Sequence, residues 1–292
     1  MDLFFQLLMN SIIAGGIYTL VAIGYTMVYG VLKFINFAHG DLAMVGAYIA
    51  YFLIQQLGFQ IIPSIGIAII SVAVLGILIE KIAYKPLRNA PRLAPLITAI
   101  ALSIFLQSAV MLLFGARTKT LSITTAKGIT FLGAYITPIQ IVIVVTSILL
   151  MIFLNFYLKH AKLGKAMRAT SDEITIASVV GIQVDRVISY VFGIGSALAS
   201  VAGILIAFET NLDPVMGFLI GIKAFAAAVV GGIGSVRGAM VGGFIIGFAE
   251  NFGIWYIPTG YKNSVAFIIL VVVLLVRPSG IFGMRPEEEF KQ

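Results

Sequence analysis

The densest group of side chains that could do chemistry in this sequence is the polar stretch 33–41, which lies between two apolar runs. It holds Asn36, His39 and Asp41, which are groups that can line a polar path or take part in proton transfer. Polar residues at membrane depth are costly and usually face a cavity or a partner, which favours a place along a translocation path or at a gate. The structural alternative is a tight cytoplasmic turn in which Asn36 and Asp41 cap helix ends.

A second polar group lies in the loop 159–186, between two apolar runs. Ser171, or the threonine before it, can cap a helix that begins with Asp172 and Glu173, because carboxylates are favoured at the positive end of a helix dipole. Gly181 is suited to ending that helix. The spacing predicts a short cytoplasmic helix, either a docking surface for a soluble partner or a plain surface helix.

A third group is the acidic segment 209–214, which contains Glu209 and Asp213. It follows a long apolar run and precedes a shorter one, so it forms a connection at the outer side of a membrane bundle. An acidic rim there could receive an extracytoplasmic partner, or it could be a solvated turn.

Several kinds of chemistry are excluded by missing motifs. The chain has no Cys and only two His, and it lacks both the phosphate-binding G-x-x-x-x-G-K-[ST] loop and the G-x-S-x-G nucleophile motif. The protein is therefore not expected to be an enzyme, to hydrolyse ATP itself, or to hold a metal or another cofactor. No catalytic residue is assigned.

The composition identifies the elements that must position these groups. Of the 292 residues, 60% are hydrophobic and only 11% are charged, whereas soluble domains carry about 25% charged residues. Such a chain suits a bilayer, in which helices satisfy their own backbone hydrogen bonds. The net charge of +7 is better explained by basic loops that fix membrane orientation than by binding to nucleic acid.

The apolar runs predict an all-α polytopic bundle. A spanning helix needs about 20 mostly apolar residues, and several runs before residue 209 approach or exceed that length. Later runs are shorter and are interrupted at 231–235 and at Pro258; broken segments of this kind often line cavities. We predict eight or nine membrane segments in one transmembrane domain, 1–292.

The basic residues predict the orientation of the bundle. The loops 80–92 and 159–186 and the C-terminal tail hold most of the 19 Lys and Arg residues, so these regions are predicted to be cytoplasmic. The loop 115–137 is rich in Thr, Ser and Gly and is placed outside. The N-terminus is then outside and the C-terminus in the cytoplasm.

Four segments together resemble the branched-chain amino acid ABC-transporter permeases. They are Ile35–Asp41, Arg168–Gly203, Asp213–Gly217 and Gly231–Gly238. The resemblance covers nearly the whole chain, and its length and N-terminus are similar to those of the shorter of the two permeases that these importers use.

The resemblance implies a multi-pass subunit of an importer in the bacterial inner membrane, which carries a small-molecule amino acid across the lipid bilayer. The implied partners are a second, longer permease, two cytoplasmic ABC ATPases and an extracytoplasmic substrate-binding protein. The residues expected to couple to the ATPases are Ser171, Asp172, Glu173, Ala177 and Gly181. Those expected along the translocation path are Asn36, His39, Asp41, Gly232 and Ser235. Those expected to contact the binding protein are Glu209 and Asp213.

One departure and several alternatives accompany this interpretation. Many ABC importers carry an E-A-A-x-x-x-G pattern in the coupling segment, but here Thr175 stands at the Glu position, so contacts made by that Glu are not transferred. Related permeases resemble those for urea, short amides, other amino acids and sugars. A secondary transporter driven by an ion gradient, or a membrane enzyme that uses His39 and Asp41, is also compatible with the residues.

Overall fold

A computed structural model describes residues 2–88, 90–91, 93–121, 128–131 and 133–283 of the chain. Within these residues the architecture is a bundle of eleven α-helices with one small hairpin. The helices are α1 (Asp2–Leu32), α2 (His39–Tyr51), α3 (Ile61–Ile79), α4 (Leu93–Phe114), α5 (Pro138–His160), α6 (Lys162–Asp172), α7 (Ile174–Val179), α8 (Val184–Glu209), α9 (Met216–Gly231), α10 (Val236–Gly253) and α11 (Lys262–Val276). The hairpin pairs β1 (Ile129–Phe131) with antiparallel β2 (Ala134–Ile136).

Two of these helices continue into wider turns. The π-helical segment Phe52–Gln56 extends α2, and the segment Glu80–Tyr84 extends α3. With its extension, α2 covers 39–56, which is close to the length that crosses a hydrocarbon core.

Six helices among the described residues are long and apolar enough to cross a membrane. With their short extensions they cover Leu3–Leu32, Ile61–Leu87, Leu93–Phe114, Pro138–His160, Val184–Glu209 and Thr259–Val276. The helices α9 and α10 pass the same test only together and are bent by 119° at the break between them. The predicted polytopic helical membrane protein is confirmed, while eight or nine segments stay a prediction.

The centre of the bundle is formed by α1 and α8. In the most apolar 18-residue stretch of each of these two helices, about two thirds or more of the residues are buried. In the corresponding stretches of α3, α4 and α5 about a fifth of the residues are buried. The outer helices instead expose large apolar side chains, such as Ile62 and Leu112. An apolar outer surface of this extent suits contact with lipid rather than water.

Small residues let the central helices approach closely, as is usual between membrane helices. Gly15 of α1 faces Gly247 of α10, where a Cβ added at Gly247 would lie 2.5 Å from the Gly15 nitrogen. Gly203 of α8 leaves similarly little space beside Ala43 of α2.

The loops meet in two groups at opposite ends of the bundle. At one end a Lys119–Leu212 β-bridge joins the loop after α4 to the chain before α9. At the other end Lys85 Nζ lies 2.7 Å from the carboxylate of Asp185, and the Ile281 N–H donates to the Val230 carbonyl. This is the grouping that the charge distribution predicts. That the second end faces the cytoplasm stays a prediction.

Candidate transport path and coupling segment

Two cavities lie at opposite ends of α1, and we name them outer and inner after the predicted orientation of the bundle. The outer cavity, beside the Lys119–Leu212 end, has a volume of about 430 Å³ and is lined by the first half of α1 with residues of α8, α9, α10 and α11. The inner cavity has a volume of about 510 Å³ and is lined by the last turns of α1 with α5, α6, α8 and the break between α9 and α10. The packed middle of the bundle separates them.

A charged cluster of three side chains from three helices adjoins the outer cavity, and two of its members, Tyr18 and Lys223, line that cavity. Lys223 Nζ of α9 lies 2.9 Å from Oε1 and 3.1 Å from Oε2 of Glu250 in α10. The Tyr18 hydroxyl of α1 donates to Glu250 Oε2 at 2.8 Å and accepts from Lys223 Nζ at 3.1 Å. Because Glu250 is completely buried, each charge depends on this cluster for its stabilisation.

The remaining walls of the outer cavity are apolar with a few polar groups. Asn251 accepts a hydrogen bond from Lys262 Nζ at 3.0 Å. At the mouth, Glu209 accepts one from Gln140 Nε2 at 2.8 Å. The apolar lining residues are Ile13, Ala14, Ile17, Ile206, Met216, Leu219 and Ile220.

The inner cavity brings the coupling segment next to the break between α9 and α10. Ser171 and Asp172 line it from α6, while Ser235 and Arg237 line it from the opposite side. Ser235 is the N-cap of α10, where its hydroxyl accepts from the Gly238 N–H at 3.1 Å. Ser235 is thus the one residue of the predicted path that lines either cavity.

Gly232 has a structural place in the same break. It ends α9 with φ +108°, in a region that favours glycine. A Cβ there would lie 2.9 Å from the Phe282 carbonyl carbon, so the C-terminal segment packs directly on this turn. Gly232 is not among the described residues that line the outer or the inner cavity.

The polar stretch 33–41 is folded back into the bundle rather than left on its surface. Lys33, with φ +55°, ends α1 in the left-handed region. Asn36 Oδ1 then accepts from the Ala38 N–H at 3.2 Å and from the Tyr84 hydroxyl at 2.6 Å. Ala38 is the N-cap of α2 and has no side-chain cap, so the predicted capping of a helix end by Asn36 is wrong.

The two remaining polar residues of this stretch sit deep among glycines. The His39 imidazole fills the space beside Gly24 of α1 and Gly195 of α8, and its ring centre lies 4.9 Å from that of Tyr25. Asp41 Oδ1 accepts from Gln107 Nε2 at 3.0 Å.

All three polar residues are buried, and none lines either cavity. Four side-chain atoms in this region have no hydrogen-bond partner among the described residues: Tyr25 Oη, Asn36 Nδ2, His39 Nε2 and Asp41 Oδ2. A role of Asn36, His39 and Asp41 in a translocation path stays a prediction.

The coupling segment is two helices rather than one. The predicted helix start at Ser171 is wrong: α6 continues to Asp172, and Glu173 is the N-cap of α7. Its carboxylate accepts from the Thr175 N–H at 3.2 Å. A carboxylate is stabilised at this position because it accepts hydrogen bonds from the free N–H groups at the positive end of a helix. Gly181, with φ +88°, follows the helix end as predicted.

The short helix α7 turns one small residue inward and several apolar ones outward. Ala177 is buried, whereas Val179 is 84% exposed and Val180 is 73% exposed. Ile174 and Ile176 are exposed as well. The outward apolar face of this segment is therefore not covered by the rest of the described chain.

The predicted acidic rim is split between two local roles. Glu209 is at the end of α8 and lines the mouth of the outer cavity. Asp213 accepts a hydrogen bond from the Val215 N–H at 2.9 Å and so orders the turn before α9. Binding-protein contact by either residue stays a prediction.

The charged cluster at the outer cavity is not predictable from any single motif of the sequence. Its members are 205 and 232 residues apart along the chain from Tyr18, so they have no common local motif. The one signal was Lys223, a single lysine within the apolar run 218–230. A charge inside such a run calls for a buried partner.

Comparisons with known proteins agree with this architecture. The family model described as the permease component of the branched-chain amino acid transport system matches residues 7–274. The solved structure of PsaBC from Streptococcus pneumoniae in complex with a Fab is similar with a TM-score of 0.50, covering 94% of this chain and 93% of that one. At 13% identity this similarity concerns the fold alone.

Relatives of known role are similar over nearly their full length. The high-affinity branched-chain amino acid permease LivH of Salmonella typhimurium is 44% identical, over 98% of this chain and 97% of its own. BraD of Pseudomonas aeruginosa is 43% identical with the same coverage. A probable LivH of Methanocaldococcus jannaschii is 32% identical over 96% of this chain and 92% of its own. The chain therefore belongs to the family of branched-chain amino acid transport permeases.

Proposed function

We propose that this permease is the membrane subunit of an ATP-driven importer that moves branched-chain amino acids into the cytoplasm by alternating access. The observation that carries the proposal is the exposed apolar face of α7, next to a helix that lines the inner cavity. Two ABC ATPases bind that face, a second permease completes the path, and an extracytoplasmic binding protein delivers the substrate at the outer end.

The helix α7 needs a partner at its exposed face, because the helix is too short to be stable alone. A six-residue helix is far below the length at which isolated helices form in water. Its exposed valines would also cost free energy in water, and such patches mark interaction sites. A soluble ATPase at the predicted cytoplasmic end meets both requirements.

Movement of the coupling segment can reach the inner cavity through direct contact. Gly30 of α1 faces Ser171 of α6, where an added Cβ would lie 3.4 Å from the Ser171 hydroxyl. Met167 of α6 is buried and lines the same cavity. A push on α7 is therefore delivered to the end of α1 and to the cavity wall, which suits a two-state change of helix packing.

The replacement of Val179 by Asp tests the coupling in the assembled transporter. We expect the variant to insert and to bind the second permease normally, since the side chain is exposed and makes no core contact. Binding-protein-stimulated ATP hydrolysis and leucine uptake in proteoliposomes should fall together by about tenfold or more, because a charge would be desolvated at the ATPase contact.

The matched control is Val179→Leu, which keeps the face apolar and should retain uptake. Uptake at the wild-type rate in Val179→Asp would contradict the coupling role of α7.

Co-purification is a second test. Isolation of the chain without ATP-binding subunits, together with uptake driven by an ion gradient, would favour a secondary transporter instead.

A further inference from the structure

We infer that the outer cavity is a binding site for an apolar amino acid as a zwitterion, in which Lys262 binds the α-carboxylate of the substrate. This rests on the proposed transport function and gives it a site. None of the predicted path residues contributes to it.

The two lysines around the outer cavity differ in how their charges are balanced. Lys223 is neutralised by Glu250 and is held by Tyr18. Lys262 has only the neutral Asn251 amide as a partner, and no carboxylate of the described residues lies within 4 Å of its amino group. The cavity therefore presents one cation that has no carboxylate of the described residues in direct contact with it.

An uncompensated cation in a partly enclosed site favours an anionic ligand. Lys262 is only partly exposed, and it lines the same cavity as Tyr18 and Lys223, whose polar groups are already paired with Glu250. A carboxylate that binds there replaces lost water with a charge-assisted hydrogen bond. The cation is supplied by α11 and its amide partner by α10, so the position of Lys262 is fixed by two helices.

The apolar walls of the outer cavity favour an apolar side chain on the ligand. Ile13 and Ile17 of α1 face a cavity that is also lined by Ile206 and Ile220. These branched side chains offer an apolar surface to a branched ligand side chain and nothing to an inorganic anion. The volume of about 430 Å³ falls in the range of small-molecule sites, about 300–1,000 Å³.

A third feature matches the substrate ammonium group. Glu209 lines the same cavity at its mouth and keeps a carboxylate oxygen available beyond its bond from Gln140. A ligand with one negative and one positive group fits a site with Lys262 and Glu209 better than a simple organic acid does. The chemistry therefore indicates an amino acid with an apolar side chain.

The test uses the complete transporter complex in nanodiscs, without binding protein, and L-leucine as the probe. Saturation-transfer NMR should detect contact of the leucine methyl groups with the wild-type complex. Lys262→Met should weaken leucine binding about 10- to 100-fold, the equivalent of one charge-assisted hydrogen bond. Lys262→Arg, which keeps the charge, should stay within a few-fold of the wild type.

Analogues and a matched lysine sharpen the result. L-leucinamide, which lacks the carboxylate, should compete poorly with leucine on the wild-type complex and should lose this disadvantage on Lys262→Met. The exposed Lys81, at the opposite end of the bundle, provides the control: Lys81→Met should bind like the wild type. Size-exclusion profiles of all variants verify assembly.

Two outcomes separate this inference from the proposed function. If the wild-type complex imports leucine but Lys262→Met binds leucine and discriminates against leucinamide as the wild type does, the site assignment is overturned and the transport function stands. If the wild-type complex with its binding protein imports no branched-chain amino acid, the proposed function fails.

Discussion

Two of the polar groups inside this bundle differ in how they are assembled and in how completely they are satisfied. The stretch from Asn36 to Asp41 is contiguous in the sequence, but several of its polar atoms are unpartnered among the described residues. The cluster of Tyr18, Lys223 and Glu250 comes from three helices, and its charges are in direct contact.

The difference shows that proximity along the chain is a poor guide to a shared site in a membrane bundle. The contiguous group is packed against glycines and lines neither cavity. Two members of the dispersed group, Tyr18 and Lys223, line one of them. Because an unpaired charge is very costly away from water, the paired cluster should be much more sensitive to substitution than the contiguous one.

The largest effect is expected for Lys223→Met, which leaves the completely buried Glu250 carboxylate without its cation. Removing one partner of a buried ion pair costs about 3–5 kcal/mol. We expect a large fall in the apparent melting temperature of the detergent-solubilised permease, measured by fluorescence-detected size exclusion.

The double variant Lys223→Met with Glu250→Gln is the control for that experiment. It removes both charges, so it should recover much of the lost stability. A single variant as stable as the wild type would show that the ion pair does not support the folded bundle.

A smaller effect is expected for Gly40→Ala, which tests how tightly the contiguous group is packed. The new Cβ would lie 2.5 Å from the Gly221 Cα of α9, so α2 and α9 must separate. Overpacking of this kind costs about 1–3 kcal/mol.

Gly66 in α3 is the matched glycine, because a Cβ there meets nothing within 4 Å. Gly66→Ala should be neutral or should raise stability by about 0.5–1 kcal/mol, since alanine is the better helix former. Equal melting temperatures for the two alanine variants would contradict the close packing of α2 on α9.

The smallest effect is expected for Asp41→Asn. Asp41 accepts one hydrogen bond from Gln107, and no cation of the described residues lies within 4 Å of it. An amide can keep that bond through its carbonyl oxygen, so stability should change by no more than about 1 kcal/mol. A loss as large as that of Lys223→Met would mean that the contiguous group holds a charge pair in the folded protein.

The helical membrane architecture could be predicted from sequence because it follows from local properties. Runs such as 138–158 carry no charged residue, and bilayer thickness fixes the helix length. The grouping of loops by their basic residues was also predictable, since charges remain at the helix ends. The ion pair of Lys85 with Asp185 at one such end agrees with that rule.

The site was harder to predict because it depends on tertiary packing. The return of 33–41 into the bundle requires space at Gly24 in the preceding helix and at Gly195, which is far away in sequence. The N-cap of α7 is Glu173 and not Ser171, because Ser171 belongs to the last turn of α6. Lys223 and Glu250 lie on different helices, and only their packing makes them a pair.

The most direct test of the transport role is leucine uptake into proteoliposomes that contain this permease, the second permease and the two ATPases, with binding protein on the outside. The account predicts uptake that requires both internal ATP and binding protein, that is insensitive to dissipation of ion gradients, and that is lost in Val179→Asp. Uptake by the permease alone without ATP, driven by an ion gradient, would contradict it.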